Sequence, residues 1–227
     1  MTLIIRTATP DDAAAIASVK ARVWPAEMPA LDRVKQAIVH KDHATHVAHI
    51  ADHAGTGFVD GFLTRSASGQ QRWEVDLLAV DPAFQGQKIG QQLITASTLA
   101  GRAAGATLAR ALVQVENYAS QGSFRQNGYR TTGQIYRLVV SRQAAADSPA
   151  VNPHLIPVST MNYSGLWLEG DPSAAHLAAA QSERARQGSD LVGALLPLEA
   201  TDLLIAARQM GYNTIEHFQW WTLALDG

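Results

Sequence analysis

Residues Val80 to Leu93 read V-D-P-A-F-Q-G-Q-K-I-G-Q-Q-L and join a strand-like run to a helix-like one. Upstream, Trp73 to Val80 has the residue types of a strand. Downstream, Ile89, Leu93, Ala96, Ala100 and Ala103 recur at helical spacing, and Gly101 and Gly105 bracket the helix end. A strand that turns through glycine straight into a helix leaves several main-chain N–H groups without partners at the helix N-terminus. With the helix dipole, those groups form an anion site that suits a pyrophosphate. Taken alone, the turn is equally compatible with an ordinary strand–helix connection.

The strand before the turn carries two carboxylates. On a regular strand Glu74, Asp76, Leu78 and Val80 share one face, and Trp73, Val75, Leu77 and Ala79 the other. Acidic groups on a largely buried strand are either ion-paired or hold a raised pKa. Beside an anion-binding turn, Glu74 and Asp76 are therefore candidates for a general base.

Composition sets the outer limits. The chain has 227 residues, 47% hydrophobic and 17% charged, which suits one large or two small globular domains. A net charge of −2 and a pI near 6.4 give no footprint for nucleic acid or an anionic membrane. The absence of cysteine excludes disulfides, thiolate metal sites and a cysteine nucleophile. Met1 to Thr7 is strand-like with Arg6 inside it, not a secretory leader, and no apolar run reaches membrane-spanning length. A soluble, cytoplasmic protein is the expectation.

Strands are expected at Leu3–Arg6, Val47–Asp52, Phe58–Arg65, Trp73–Val80, Leu108–Val115 and within Tyr129–Ser141. Thr9-Pro10-Asp11-Asp12 starts a helix that turns Ala13, Ile16, Ala17 and Val23 inward. Further helices are expected near Ala30–His40, after the glycine turn, and near Ala119–Gln126. Gly55 and Gly57 suggest a hairpin turn. Gln143 to Pro157, rich in Ala, Pro, Ser and Asn, reads as a linker. His40, His43, His46 and His49 fall every third residue, with His53 beyond. A metal cluster needs convergence, and strand residues three apart point oppositely, so no metal is expected.

Over the first 142 residues the element order β-α-α-β-β-β-α-β-α-β and two spaced motifs resemble the GNAT superfamily of acyl-CoA-dependent N-acyltransferases. That family's (Q/R)-x-x-G-x-(G/A) turn is matched by Gln85-Gly86-Gln87-Lys88-Ile89-Gly90. Its later N-x-x-A-x-x-x-Y-x-x-x-G-(F/Y) pattern is matched by Asn117, Ser120, Phe124, Gly128 and Tyr129, and its strand-end flavour by Leu78-Ala79-Val80-Asp81-Pro82. The resemblance implies an α/β (α+β) fold, a mixed, mostly antiparallel sheet flanked by helices. It implies acetyl-CoA (coenzyme A) as co-substrate, with Leu78 and Val80 along the pantetheine arm. The N–H groups of Gln85, Gly86, Gln87, Lys88, Ile89, Gly90 and Gln91 would hold the pyrophosphate. Asn117, Ser120 and Phe124 belong to the cofactor side, and the Val80 N–H to the oxyanion. The acceptor would be the amine of a small molecule or a protein, attacking the thioester directly after losing a proton to Glu74 or Asp76. Alternatives are a non-catalytic acyl-CoA-binding protein and a dimer-forming assembly module.

Two departures stand out. Lys88 replaces a usual glycine; positive φ there costs of order ~1 kcal/mol, whereas an ordinary φ adds a cation near the phosphates. Phe124 stands where many members have a tyrosine that protonates the leaving thiolate, which leaves water or Tyr118 for that role.

Gly105–Tyr129 aligns without gaps to Gly188–Tyr212, with nine identities that include an R-Q-x-G-Y run. Asp81-Pro82 matches Asp171-Pro172 at a distance longer by seven residues, so the copy lacks a segment equivalent to Phe84–Gly90. Asn117, Ser120 and Phe124 become Ala200, Leu203 and Ala207. The expected organisation is a full unit over 1–142, a linker over 143–157, and a truncated GNAT half-repeat over 158–227 without a phosphate turn. Trp167, Trp220 and Trp221 of the half-repeat are expected to pack against the first domain or a second subunit, as in a homodimer, with walling of the acceptor pocket as a lesser role.

Overall fold

The computed structural model describes residues 2–27, 30–50, 53–145 and 150–225. The chain divides into two compact units, residues 1–132 with 220–227, and residues 133–219.

The first unit opens with β1 (Leu3–Thr7), followed by α1 (Ala13–Val23), α2 (Leu31–Val39), β2 (His43–Ile50), β3 (His53–Arg65) and β4 (Gln71–Val80). After the glycine turn come α3 (Ile89–Ala103), β5 (Leu108–Gln114) and α4 (Tyr118–Gln126). Strands β1 to β4 pair antiparallel in chain order, and β5 joins β4 in parallel. The entry to α1 is fixed locally: Arg6 pairs with Asp12 at 2.7 Å, and the Thr9 N–H donates to Asp12 at 2.8 Å. The Arg6 guanidinium holds the Asp12 carboxyl down at about 2.

The core of this unit lies between the sheet and α3. Trp73, Val75, Ile89, Leu93, Ile94, Phe124, Tyr129, Trp221 and Leu225 are all buried in it. The Trp73 ring decides the detail. Its Nε1–H donates to Ser97 Oγ at 2.9 Å, and a Cβ at Gly101 would run into the ring. The inward stripe of α3 is therefore Ile89, Leu93, Ile94, Ser97 and Gly101; of the face expected from spacing, Ile89, Leu93 and Ala100 pack on the core, and Ser97 and Gly101 join it. Gly55 and Gly57 lie inside β3, not in a turn; residues 51–52, between β2 and β3, lie outside the described residues. A Cβ at Gly57 would sit 2.9 Å from the Ala79 carbonyl, which is why the strand needs glycine there.

The second unit contains β6 (Tyr136–Ser141), β7 (Leu155–Ser159), β8 (Ser164–Leu168), α5 (Ala174–Gln187), β9 (Leu191–Pro197) and α6 (Thr201–Gln209). The last strand, β10 (Asn213–Ala224), begins here and ends in the first unit. Strand β8 pairs with β9 in parallel, while β7–β8, β6–β9 and β6–β10 are antiparallel. Leu166, Leu168, Leu177, Val192, Leu196, Ala207 and Tyr212 form its core.

The expected boundaries need correction. Strand β6 pairs with β9 from Tyr136–Pro197 to Ser141–Val192, so residues up to 142 do not all belong to the first unit. The end of the chain does belong there. The Leu225 N–H donates to the Thr107 carbonyl at 2.9 Å, Arg130 bridges Thr222, and Trp221 is 2% exposed. The segment read as a linker contains the start of β7, and residues 146–149 lie outside the described residues. Trp220 and Trp221 thus pack within the first unit, while the Trp167 Nε1–H donates to the Tyr163 hydroxyl within the second.

Candidate functional site

Strand β4 is not regular. Val59 pairs with Leu78 but Gly61 pairs with Val75, so Asp76 and Leu77 together oppose Asp60. This bulge switches the faces of the strand. Leu78 and Val80 pack against the same cluster as Trp73 and Val75. The expectation that Glu74 and Asp76 share a face with Leu78 and Val80 is therefore corrected: the extra residue brings the core face back one position late, at Leu78 instead of Leu77.

Just ahead of the bulge the sheet opens. Strands β4 and β5 pair only at Arg72–Leu108, Trp73–Ala109 and Glu74–Arg110, after which they part. The Asp81 N–H donates to the Thr56 carbonyl at 2.9 Å. Antiparallel alternation then turns the main-chain groups of Val80 and Leu78 away from β3, toward the gap that β5 has left. The Val80 carbonyl accepts from Gln85 Nε2 at 3.1 Å, and its N–H faces the cleft.

The turn sits at the end of this cleft. Asp81 accepts from the Ala83 N–H at 3.0 Å and pairs with Arg22 at 2.7 Å, which anchors the strand end. Gly86 has φ 79 and Lys88 φ 61, so Lys88 takes the left-handed conformation, the costlier of its two options. The helical ladder begins with Gln92 N–H to Lys88 O at 3.2 Å. Among the described residues no main-chain carbonyl accepts from the N–H of Gly86, Gln87 or Lys88, and Ile89, Gly90 and Gln91 occupy the first turn, whose donors have no intrahelical acceptor. A Cβ at Gly86 would meet nothing within 4 Å, so the bend is open rather than filled. At Gly90 it would stand 3.8 Å from Val80 Cγ2 and 3.9 Å from Ser123 Oγ.

Asn117 caps α4, its Oδ1 accepting from the Ser120 N–H at 3.0 Å, which leaves Nδ2 as a donor at an exposed position. Tyr118 is 76% exposed beside it. Phe124 is buried edge-on to Tyr129, ring centroids 5.1 Å apart, so no hydroxyl reaches the cleft from that position. The Tyr129 hydroxyl is bonded to Thr98 and pushed up to about 12 by burial.

The two carboxylates differ. Glu74 is buried and paired: it accepts from Arg110 Nε at 2.9 and 2.8 Å and from Thr64 Oγ1 at 2.5 Å. Asp76 lies at the bulge opposite Asp60, with its surface open to solvent. Its carboxyl is pushed up to about 7, first by loss of hydration and then by Asp60, with His43 and Lys20 opposing. Water reaching the exposed side moderates that rise. Asp60 is fully buried, accepting from Thr45 Oγ1 at 2.8 Å and facing His43 Nδ1 at 3.1 Å. Lys20, 1% exposed on α1, is lowered by burial. No local sequence pattern singles out Asp60, Lys20 or Arg110, because only register and helix docking place them here. Among the described residues no three His, Cys, Asp or Glu side chains group as a metal site.

Residues 41–131 match the family model described as acetyltransferase (GNAT) domain. An aminoglycoside N(6')-acetyltransferase type 1 of Stenotrophomonas maltophilia is 29% identical over 135 residues, covering 58% of this chain and 88% of that protein. A tandem GNAT protein from the clavulanic acid biosynthesis pathway superposes with TM-score 0.62 at 10% identity, covering 100% of this chain and 99% of the other. An acetyltransferase from Salmonella typhimurium, solved with acetyl-CoA, gives TM-score 0.52 at 22% identity over 60% of this chain and 84% of its own.

Proposed function

Because residues 41–131 match the acetyltransferase (GNAT) domain model, we propose that the chain belongs to that superfamily and transfers an acetyl group from acetyl-CoA to the primary amine of a small molecule. The observation that carries this reading is the continuity of an open turn with a splayed strand pair in the first unit. The pantetheine arm lies along Leu78 and Val80 like an added strand, and the pyrophosphate takes the N–H groups from Gly86 to Gln91. Asn117 Nδ2 faces the arm.

The acceptor amine is protonated at neutral pH and has to lose a proton before attack. Asp76 takes it, since a carboxyl raised toward 7 is matched to that task, whereas the lone pairs of Glu74 are held by Arg110 and Thr64. The amine nitrogen bonds to the thioester carbon and the C–S bond breaks. The Val80 N–H supports the oxyanion between these steps. The leaving thiolate draws its proton from water or from exposed Tyr118, because Phe124 has none to give. The relative's aminoglycoside acceptor supports a small-molecule amine as the acceptor class.

A second reading, an acyl-CoA-binding protein without turnover, draws on Phe124 alone. Thioester consumption with a panel of amines separates the two. The transferase reading expects turnover in the wild type and its loss in Asp76→Asn with acetyl-CoA binding retained. Binding by the wild type without turnover on any amine selects the second reading.

A further inference from the structure

The last strand of the chain reaches the point where the cleft begins. Glu74–Arg110 is the final register pair before β4 and β5 part. Arg110 Nε bridges both carboxylate oxygens of Glu74 at 2.9 and 2.8 Å, and the Arg110 guanidinium carbon lies 4.2 Å from the Trp220 ring centroid. Thr64 on β3 holds Glu74 from its other side at 2.5 Å. We infer that Trp220 is a positioning residue for the acyl-CoA cleft, clamping Arg110 onto Glu74 so that the two strands separate at this pair and no other. The inference rests on the cleft being the acyl-CoA site.

Three features support it. An arginine on a strand has several rotatable bonds, and a ring under its guanidinium face removes that freedom while leaving the N–H edge for the carboxylate. The pair is also desolvated: the Glu74 side chain is 11% and the Arg110 side chain 16% exposed, so a lapse in its geometry leaves buried charge unpaired. Finally, the internal copy lacks the device. Arg110 corresponds to Gly193, whose register partner is Trp167. There the Trp167 ring lies against the glycine, 3.8 Å from where its Cβ would be, and the strands go on to pair once more at Leu168–Ala194. Where the clamp is absent, no gap opens at the equivalent position.

The test compares Trp220→Phe, Trp220→Leu and Trp220→Ala in the full chain. Acetyl-CoA affinity is read by calorimetry, and KM against kcat by steady-state assay. The clamp predicts that Trp220→Leu and Trp220→Ala weaken acetyl-CoA binding about tenfold and raise KM more than they lower kcat. Trp220→Phe, which keeps a ring face under Arg110, stays within about twofold of the wild type. Should the alanine variant not fold, the Leu–Phe contrast decides. Equal affinity for the leucine and phenylalanine variants overturns the clamp and leaves only apolar bulk. Amide exchange at Arg72–Glu74 and Leu108–Arg110 reads the same contrast without acetyl-CoA. Faster exchange in the leucine than in the phenylalanine variant supports the clamp, and equal exchange overturns it. Failure of the wild type to bind acetyl-CoA at all refutes the functional reading instead, and the exchange result still decides the clamp.

Discussion

The two units carry the same β-α-β module in two conditions. Strand β5 corresponds to β9 and α4 to α6, both ends of each element displaced by the same number of positions. The glycines after each helix match in conformation, Gly128 at φ 86 and Gly211 at φ 81. The tyrosine that follows each is buried and bonds a neighbouring helix, Tyr129 to Thr98 and Tyr212 to the Leu177 carbonyl. The difference lies upstream. Strand β4 runs six residues past its last pair with β5, whereas β8 ends at Leu168, its last pair with β9. Before α3 the chain makes an open bend with free N–H groups; before α5 it makes a capped start. There Ser173 Oγ faces the His176 N–H at 3.5 Å, and the Ser173 N–H donates to His176 Nδ1 at 3.2 Å. Among the described residues one module leaves its first donors without main-chain acceptors, and the other caps its helix start itself. Core and turn residues, not the bend, are what the two modules share.

The largest expected effect removes a shared structural support. Truncation after Gln219 deletes Trp221 and Leu225 from the first core, and loss of a buried tryptophan alone costs about 3–5 kcal/mol. Thermal unfolding should show the first unit without a cooperative transition. A truncated chain that still binds acetyl-CoA breaks the assignment of the C-terminal strand to that unit.

Next in size is Asp76→Asn, expected to slow transfer about a hundredfold or more. In the wild type, kcat/KM should fall as pH drops through the region of about 7, where Asp76 gains its proton. The stability effect has its own sign. A carboxyl whose folded pKa is raised binds its proton better in the folded chain. Its stabilising contribution is full below the unfolded value near 3.8 and is lost as pH rises through about 7. Asp76→Asn should therefore stabilise the protein at pH 8, by about 1 kcal/mol after allowance for solvent, and do nothing at pH 4. Denaturant midpoints at the two pH values check this.

A reciprocal exchange sharpens the comparison further. Asn117→Ala removes the α4 cap and should cost about 1 kcal/mol as well as weaken acetyl-CoA binding. Ala200→Asn supplies the missing cap of α6 and should return a similar stabilisation without creating a second binding site. The smallest effect is Lys88→Gly, which relieves a left-handed lysine and should raise stability by about 1 kcal/mol or less.

Much of this module was legible in the sequence because its signals are local. The boundaries of α5 follow from Ser173 ahead of it and Gly188 behind it, and the open turn follows from Gly86 and Gly90 between a strand and a helix. What escaped is non-local. The bulge at Asp76–Leu77 is invisible to alternation, since one extra residue changes no residue type. The inward stripe of α3 went astray because the size of Trp73, and not the apolarity of alanine, chose Ser97 and Gly101. No local pattern singles out Lys20 and Asp60, which only the docking of α1 and the register of β3 bury near Asp76. The division of β10 between units needed the pairing partners of β6, which no periodicity reports.

Calorimetric titration of acetyl-CoA into the full chain, with the stoichiometry read directly, tests the contrast between the modules at its root. One molecule bound per chain, and none in a Gly86→Asp, Gly90→Asp double variant that keeps a cooperative unfolding transition, is the expected result. Two molecules per chain, or undiminished binding by the double variant, would contradict it.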